Sequence, residues 1–221
     1  MIFAAGMGTR LKPLTDTMPK ALVRVGGEPL IKHVIQNLSE AGVDRIVVNV
    51  HHFAQQIIDY LTENDNFGLD IRISDESAGL FETGGGIKHA AQLFAPDAPI
   101  LIHNVDILSN VDLRRFYQRA GGLLKADAST DVSASTSADA PDALLLVSER
   151  KTQRYLLFDD TMRLVGWTNI ATGEVKSPYP DLDPKACRMY AFAGIHALSP
   201  RMLPLMQQFP DRFSIIDFYL Q

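Results

Sequence analysis

The chain has 221 residues, 46% hydrophobic and 21% charged, and its 26 acidic against 21 basic side chains give a formal net charge of −5. That is the balance of a globular protein able to bury one or two cores, and it excludes disordered and fibrous classes. The acidic isoelectric point near 5.6 speaks against a nucleic-acid partner, which selects a dense positive surface, and no run approaches the roughly 18 apolar residues of a membrane span. The opening Met1-Ile2-Phe3-Ala4-Ala5-Gly6 lacks the basic segment and long apolar stretch of a signal peptide, so the expected location is the cytoplasm. Cys187 is the single cysteine, which rules out an internal disulfide and a cysteine metal cluster.

In chain order, Met1 to Ala4 reads as a strand stub entering a glycine-bearing loop. Leu30, Val34 and Leu38, with Ile31 and Ile35 beside them, form a helical apolar face closed by Gly42. Arg45–Val50 is the next strand, Ile57, Ile58 and Leu61 suit a second helix, Leu69 to Ile73 a third strand and Ile87 to Leu93 a third helix. Pro99 to His103 is a short buried strand delivering Asn104 and Asp106 at its carboxyl end, where ligands of open α/β sheets sit. A helix at about Asn110 to Ala120, with Asn110 as cap, precedes residues 126–143, almost wholly Ala, Ser, Thr and Asp and predicted as an exposed loop. Leu144 to Ser148 is a strand, and Tyr155–Phe158 and Arg163–Trp167 are the arms of a hairpin. Ala191 to Ala197 is another strand, and a short apolar stretch runs to Gln221. Strands alternating with helices predict a Rossmann-like, mixed and mostly parallel α/β sheet with helices on both faces, in one domain over 1–221.

The informative stretch is Ala4-Ala5-Gly6-Met7-Gly8-Thr9-Arg10-Leu11, then Pro13-Leu14-Thr15 and Pro19-Lys20-Ala21-Leu22. Two glycines after a strand let backbone approach a phosphate, and Arg10 and Lys20 supply cations for a polyanion. Taken alone the glycines equally suit a turn flanked by solvated charges. The spacing is neither the dinucleotide fingerprint nor the Walker P-loop, whose lysine directly follows a glycine. A nicotinamide oxidoreductase is excluded further because Asn49 and His51 stand where an acidic ribose partner belongs.

The whole pattern resembles the sugar-1-phosphate nucleotidyltransferase family, whose signature is a strand running into Ala-Ala-Gly-x-Gly-Thr-Arg-Leu, then Pro-Leu-Thr and Pro-Lys-x-Leu. The likeness continues through Gly26-Gly27-Glu28-Pro29-Leu30-Ile31, Glu82-Thr83-Gly84-Gly85-Gly86-Ile87, Asn104-Val105-Asp106 and Phe192-Ala193-Gly194-Ile195-His196. It implies that Ala4, Ala5 and Gly6 contact the nucleoside, that Gly8, Thr9 and Arg10 hold the triphosphate, and that Lys20 lies on the α-phosphate side. Glu82 to Gly86, with Thr83, Gly84 and Gly85, would lie against base and sugar. Asn104 would join the nucleotide site, and Asp106 would bind Mg²⁺. The implied partners are a nucleoside triphosphate and a sugar-1-phosphate, and the implied reaction is in-line attack of the acceptor phosphate on the α-phosphorus with pyrophosphate leaving.

Within the family the Glu82–Ile87 segment is most similar to the N-acetylmuramate-1-phosphate uridylyltransferase branch; mannose-1-phosphate guanylyl and choline-phosphate cytidylyl transfer stay open. A non-catalytic nucleotide-sugar-sensing subunit is the rival of another class, disfavoured by the presence of both Arg10 and Lys20. Many members carry a second metal carboxylate in a Trp-x-Asp-x-Gly segment, and no such segment follows Phe192. The expectation is therefore a domain shortened at its carboxyl end, or an internal substitute for that carboxylate. Asp217 is read as a surface or helix carboxylate, His51 and His52 as solvated, and Trp167 as either a sugar-stacking ring or a half-buried hairpin aromatic.

Overall fold

The computed structural model describes residues 1–121 and 141–221. Most of the 126–143 loop expected from composition lies outside them. Its last residue, Ala143, already belongs to a strand.

Four parallel strands form the half of the sheet nearest the glycine loop: β1 (Ile2–Phe3), β4 (Arg45–Val50), β5 (Asp70–Asp75) and β6 (Ile100–Asn104), in the order β5-β4-β1-β6. A two-residue hairpin, β2 (Arg24–Val25) and β3 (Glu28–Pro29), stands apart and leads into the first helix, α1 (Leu30–Glu40). Register sets Phe3 of β1 between Asn49 of β4 and Asn104 of β6, so three strand ends meet in one row. The sheet continues antiparallel from β6 through β11 (Arg188–Leu198) to β8 (Arg154–Phe158), β9 (Leu164–Asn169) and β10 (Glu174–Lys176), while β7 (Ala143–Ser148) pairs with β11.

Helices cover both faces, as the alternation of elements requires. Leu30, Ile31, Val34, Ile35 and Leu38 are all buried on α1, and with α2 (Ala54–Glu63) and α4 (Leu113–Arg119) they close one core. Gly42 ends α1 in the left-handed region at φ +96°. Its N–H reaches the Ser39 carbonyl and that of Val43 the Leu38 carbonyl, the paired bonds of a Schellman cap. The opposite face packs α3 (Glu82–His89), the turn Pro200–Gln208 and α5 (Ile215–Tyr219) around Ile87, Met206, Phe213 and Phe218.

Two local expectations are corrected. The cap of α4 is Asp112, not Asn110: Asp112 directly precedes the first helical residue, and its carboxylate accepts from the Arg115 N–H at 2.9 Å. The third helix begins at Glu82 and ends at His89 instead of running from Ile87 to Leu93, which places the triple glycine inside it.

Candidate nucleotide-transfer site

The loop after β1 is held from beneath by a buried asparagine. Asn49 Oδ1 accepts the N–H groups of Ala4 at 2.7 Å and Ala5 at 3.3 Å, and Asn49 Nδ2 donates to Glu76 Oε1 at 2.7 Å. Both side chains are buried, Glu76 completely. Burial pushes the Glu76 carboxyl above its ordinary range, with the Asn49 hydrogen bond opposing the shift. This clamp fixes the chain entering the loop. Sequence reasoning noticed Asn49 only as a missing acid and passed over Glu76, although a polar residue near the carboxyl end of an apolar strand was a usable signal.

Beyond the clamp, Gly8 takes φ +63°, and a Cβ there would stand 2.8 Å from Thr15 Cγ2 and 3.0 Å from Lys20 Cβ. Thr15 Oγ1 donates to the Gly8 carbonyl at 2.9 Å. The loop is thus folded back on itself, carrying Lys20 over Gly6, where a Cβ would meet the Lys20 ammonium at 3.6 Å. Thr9 opens the turn Thr9–Leu11, and Arg10 within it makes no side-chain hydrogen bond or ion pair among the described residues.

Asp106 leaves the end of β6, and its Oδ2 lies 2.9 Å from Lys20 Nζ. Where the resembled family carries glycine, Val105 is fully buried in the core, so the β-branched residue anchors the turn while the carboxylate still faces outward. Asn104 packs its amide against Gly194 of β11, where φ is +77° and an added Cβ would stand 2.8 Å from Asn104 Nδ2. Among the described residues no three His, Cys, Asp or Glu side chains cluster as a metal site. A single exposed-edge carboxylate is nonetheless a donor set suited to Mg²⁺, which is commonly held by one or two carboxylates together with substrate phosphates and water.

These residues line a cavity of about 390 Å³ walled by Ala5, Gly6, Arg10, Lys20, Asn104 and Asp106, with Thr83 and Ser214 opposite. Arg10, Glu82 and Ser214 also line a second, larger cavity of about 630 Å³ over the antiparallel strands. Trp167 lies in this second cavity, with Lys176 Nζ 5.5 Å from its ring centre. Asp217 lines it too and pairs with Lys176 at 2.8 Å. His51 is half-buried with Nδ1 2.7 Å from the Glu76 carbonyl, so it is tied to the protein rather than solvated; His52 is exposed beside Phe53.

The glycines of α3 serve a different purpose from the expected one. Gly84 and Gly85 are buried and line neither of these two cavities. A Cβ on Gly84 would overlap the Phe213 ring and one on Gly85 the Asp211 carbonyl, and both N–H groups are spent on the Phe213 carbonyl at 2.9 and 3.2 Å. They let the helix seat closely on the segment 211–215 rather than a flat base. Thr83 does face the first cavity, with its Oγ1 accepting from the Ile215 N–H at 2.9 Å.

Comparison with known proteins places this arrangement. The N-acetylmuramate alpha-1-phosphate uridylyltransferase of Caulobacter vibrioides is 39% identical over 163 residues, covering 73% of this chain and 61% of that protein. The protein of the same name from Neisseria meningitidis serogroup B is 42% identical over 123 residues, 56% of this chain and 53% of that one. The chain therefore spans between half and two thirds of the length of these relatives. Among solved structures, HddC from Yersinia pseudotuberculosis shares the fold at a TM-score of 0.69 and 21% identity, over 97% of this chain and 81% of that one. The profile of the nucleotidyl transferase family matches residues 1–139, well over half of the chain, and the chain belongs to that family.

Proposed function

We propose that the chain transfers a nucleoside monophosphate from a nucleoside triphosphate to a sugar 1-phosphate, with UTP and N-acetylmuramate α-1-phosphate as substrates. The observation that carries the reading is the pairing of cavities: Arg10, without a partner among the described residues, on the wall shared by two pockets, with Lys20 and Asp106 lining one of them. The two curated relatives bear the name of this reaction, which supports the choice of base and acceptor.

The nucleotide lies in the first cavity with its phosphates along the Gly6–Lys20 loop, and the acceptor in the second. An acceptor phosphate oxygen attacks the α-phosphorus, and the bond to the bridging oxygen of the β-phosphate breaks, releasing pyrophosphate. That oxygen is already ionised at neutral pH, so no general base is needed, and alignment and charge neutralisation carry the rate. Arg10 and Lys20 offset the charge on the phosphates. Asp106 would hold Mg²⁺, which supplies further neutralisation of the triphosphate when bound. The clamp of Asn49 and Glu76 keeps the loop in place while the charge moves. Such a reaction belongs in the cytoplasm, with small molecules as its only required partners.

Pyrophosphate release measured across four nucleoside triphosphates and a panel of sugar 1-phosphates tests this. Turnover with UTP and N-acetylmuramate α-1-phosphate above the other pairs is expected. Nucleotide binding with silence across the whole panel would overturn it in favour of a sensing module.

A further inference from the structure

The second cavity is floored by one face of the antiparallel strands. Leu156 pairs with Trp167 and Trp167 with Lys176, so these side chains share a face with Arg154, two residues before Leu156, and Glu174, two before Lys176. All five line the cavity. The floor is thus an apolar centre of Leu156 and Trp167 with charge at its margins.

The charges do not cancel. Lys176 is neutralised by Asp217 at 2.8 Å, and Glu82 by Arg212 at 3.0 Å. Arg10 belongs to both cavities and faces the phosphates. Arg150 and Arg154 line only the second cavity. The guanidinium of Arg150 reaches the Phe192 carbonyl at 3.3 Å, and that of Arg154 has no partner among the described residues. Against Glu174 these two arginines leave one net positive charge, which a phosphate at the shared wall does not answer.

We propose that Arg154, together with Arg150, forms a second anion subsite that takes a carboxylate on the acceptor sugar, across the Leu156–Trp167 floor from the reacting phosphate. The inference rests on the second cavity being the acceptor site. A guanidinium fork matches a carboxylate bidentately, and one surplus charge suits a monoanion better than a second phosphate. The lactyl ether of N-acetylmuramate carries such a group, whereas N-acetylglucosamine 1-phosphate is the same sugar without it. These arginines are therefore specificity residues that read the acceptor rather than assist the transfer.

Steady-state kinetics of Arg154→Gln and Arg150→Gln with the two acceptors separate the outcomes. For N-acetylmuramate α-1-phosphate, KM should rise about ten-fold or more in Arg154→Gln, with kcat and the KM for UTP unchanged. For N-acetylglucosamine 1-phosphate every constant should stay within about two-fold, and Arg154→Lys should recover part of the loss. An equal effect on both acceptors, or none on either, overturns the subsite while leaving the transfer reaction standing. Absence of turnover with any acceptor counts against the reaction instead. In that case calorimetric titration of the intact chain with each acceptor decides the subsite: equal affinities overturn it, and selective loss of N-acetylmuramate α-1-phosphate binding in Arg154→Gln supports it.

Discussion

Lys20 Nζ and Asp106 Oδ2 stand 2.9 Å apart across the mouth of the first cavity, with side chains only 17% and 31% exposed. The cation from the glycine loop and the acid from the end of β6 therefore hold each other before any phosphate arrives. Arg10 has no such partner among the described residues. Replacing either cation with alanine removes charge from a polyanionic transition state, so Arg10→Ala and Lys20→Ala should each lower turnover by about two orders of magnitude or more. Thermal unfolding should scarcely change in Arg10→Ala, and the partly buried ion pair lost in Lys20→Ala should account for about 1 kcal/mol. Near-normal turnover in either variant would show that the loop does not serve the phosphates.

Asp106→Asn keeps the shape of the side chain but removes the charge that attracts a hard cation. The magnesium concentration giving half-maximal rate should rise about ten-fold. A magnesium titration superimposable on that of the unaltered chain would reduce Asp106 to a tether for Lys20.

Asn49 is the piece of the site most exposed to structural loss. Asn49→Ala leaves the N–H groups of Ala4 and Ala5 and the buried Glu76 Oε1 without a partner. Three orphaned polar groups amount to about 3 kcal/mol of stability or more. Nucleotide affinity should fall as well, because the loop loses its anchor. Denaturant unfolding beside a nucleotide titration checks both, and a variant weakened in neither would mean that the clamp is dispensable.

The helix glycines give a contrast within one protein. Gly85→Ala drives a methyl group into the Asp211 carbonyl, which is backbone and cannot swing aside. A loss of about 2–3 kcal/mol is expected from such overpacking. Gly79→Ala meets no atom within 4 Å and should stay within about 0.5 kcal/mol. Equal melting temperatures for the two variants would contradict the close seating of α3 on residues 211–215.

This contrast also shows where the sequence was readable. Period and caps located α1 with its Gly42 stop, the run Arg45–Val50 and the strand before Asp106, because each signal is local. Gly84 and Gly85 of α3 answer to Phe213 and Asp211, more than 120 positions later in the chain, and no local pattern carries that information. The same holds for the Asn49–Glu76 clamp, formed across 27 positions, and for the meeting of Arg154 with Arg10 around one cavity. The strand β10 was missed because Glu174–Lys176 is three residues long and exposed. Resemblance in the first 31 residues pointed to the family, whereas the second cavity became legible only in three dimensions.

Acid sensitivity follows from His196. The ring is buried on β11 with Nδ1 2.6 Å from the Tyr219 hydroxyl, and burial lowers its pKa from 6.5 to about 3. The unfolded chain takes up this proton near pH 6.5 and the folded chain does not, so stability is retained above that pH and lost as pH falls toward 3. The slope approaches about 1.4 kcal/mol per pH unit for one proton. His103 is shifted in the same direction by burial, while Glu76, raised by burial, acts in the opposite sense and only near the carboxylate range. Denaturant unfolding between pH 7 and 5 should show a decline that is shallower in His196→Gln, the remainder coming from His103 and from the buried Met1 amino group, lowered from 8.0 to about 5. Parallel curves would place the acid sensitivity elsewhere.

β11 is a single strand shared by two neighbourhoods. Phe192 borders the second cavity, and two residues on, Gly194 bends against Asn104, which borders the first. On the proposed reading the offset between donor and acceptor is set by about one pleat of backbone, beside the Arg10 side chain on the shared wall. In-line displacement tolerates little lateral error. On the proposed transfer, a side chain forced into position 194 would press on Asn104 and displace the wall of the first cavity against the second, costing alignment at phosphorus.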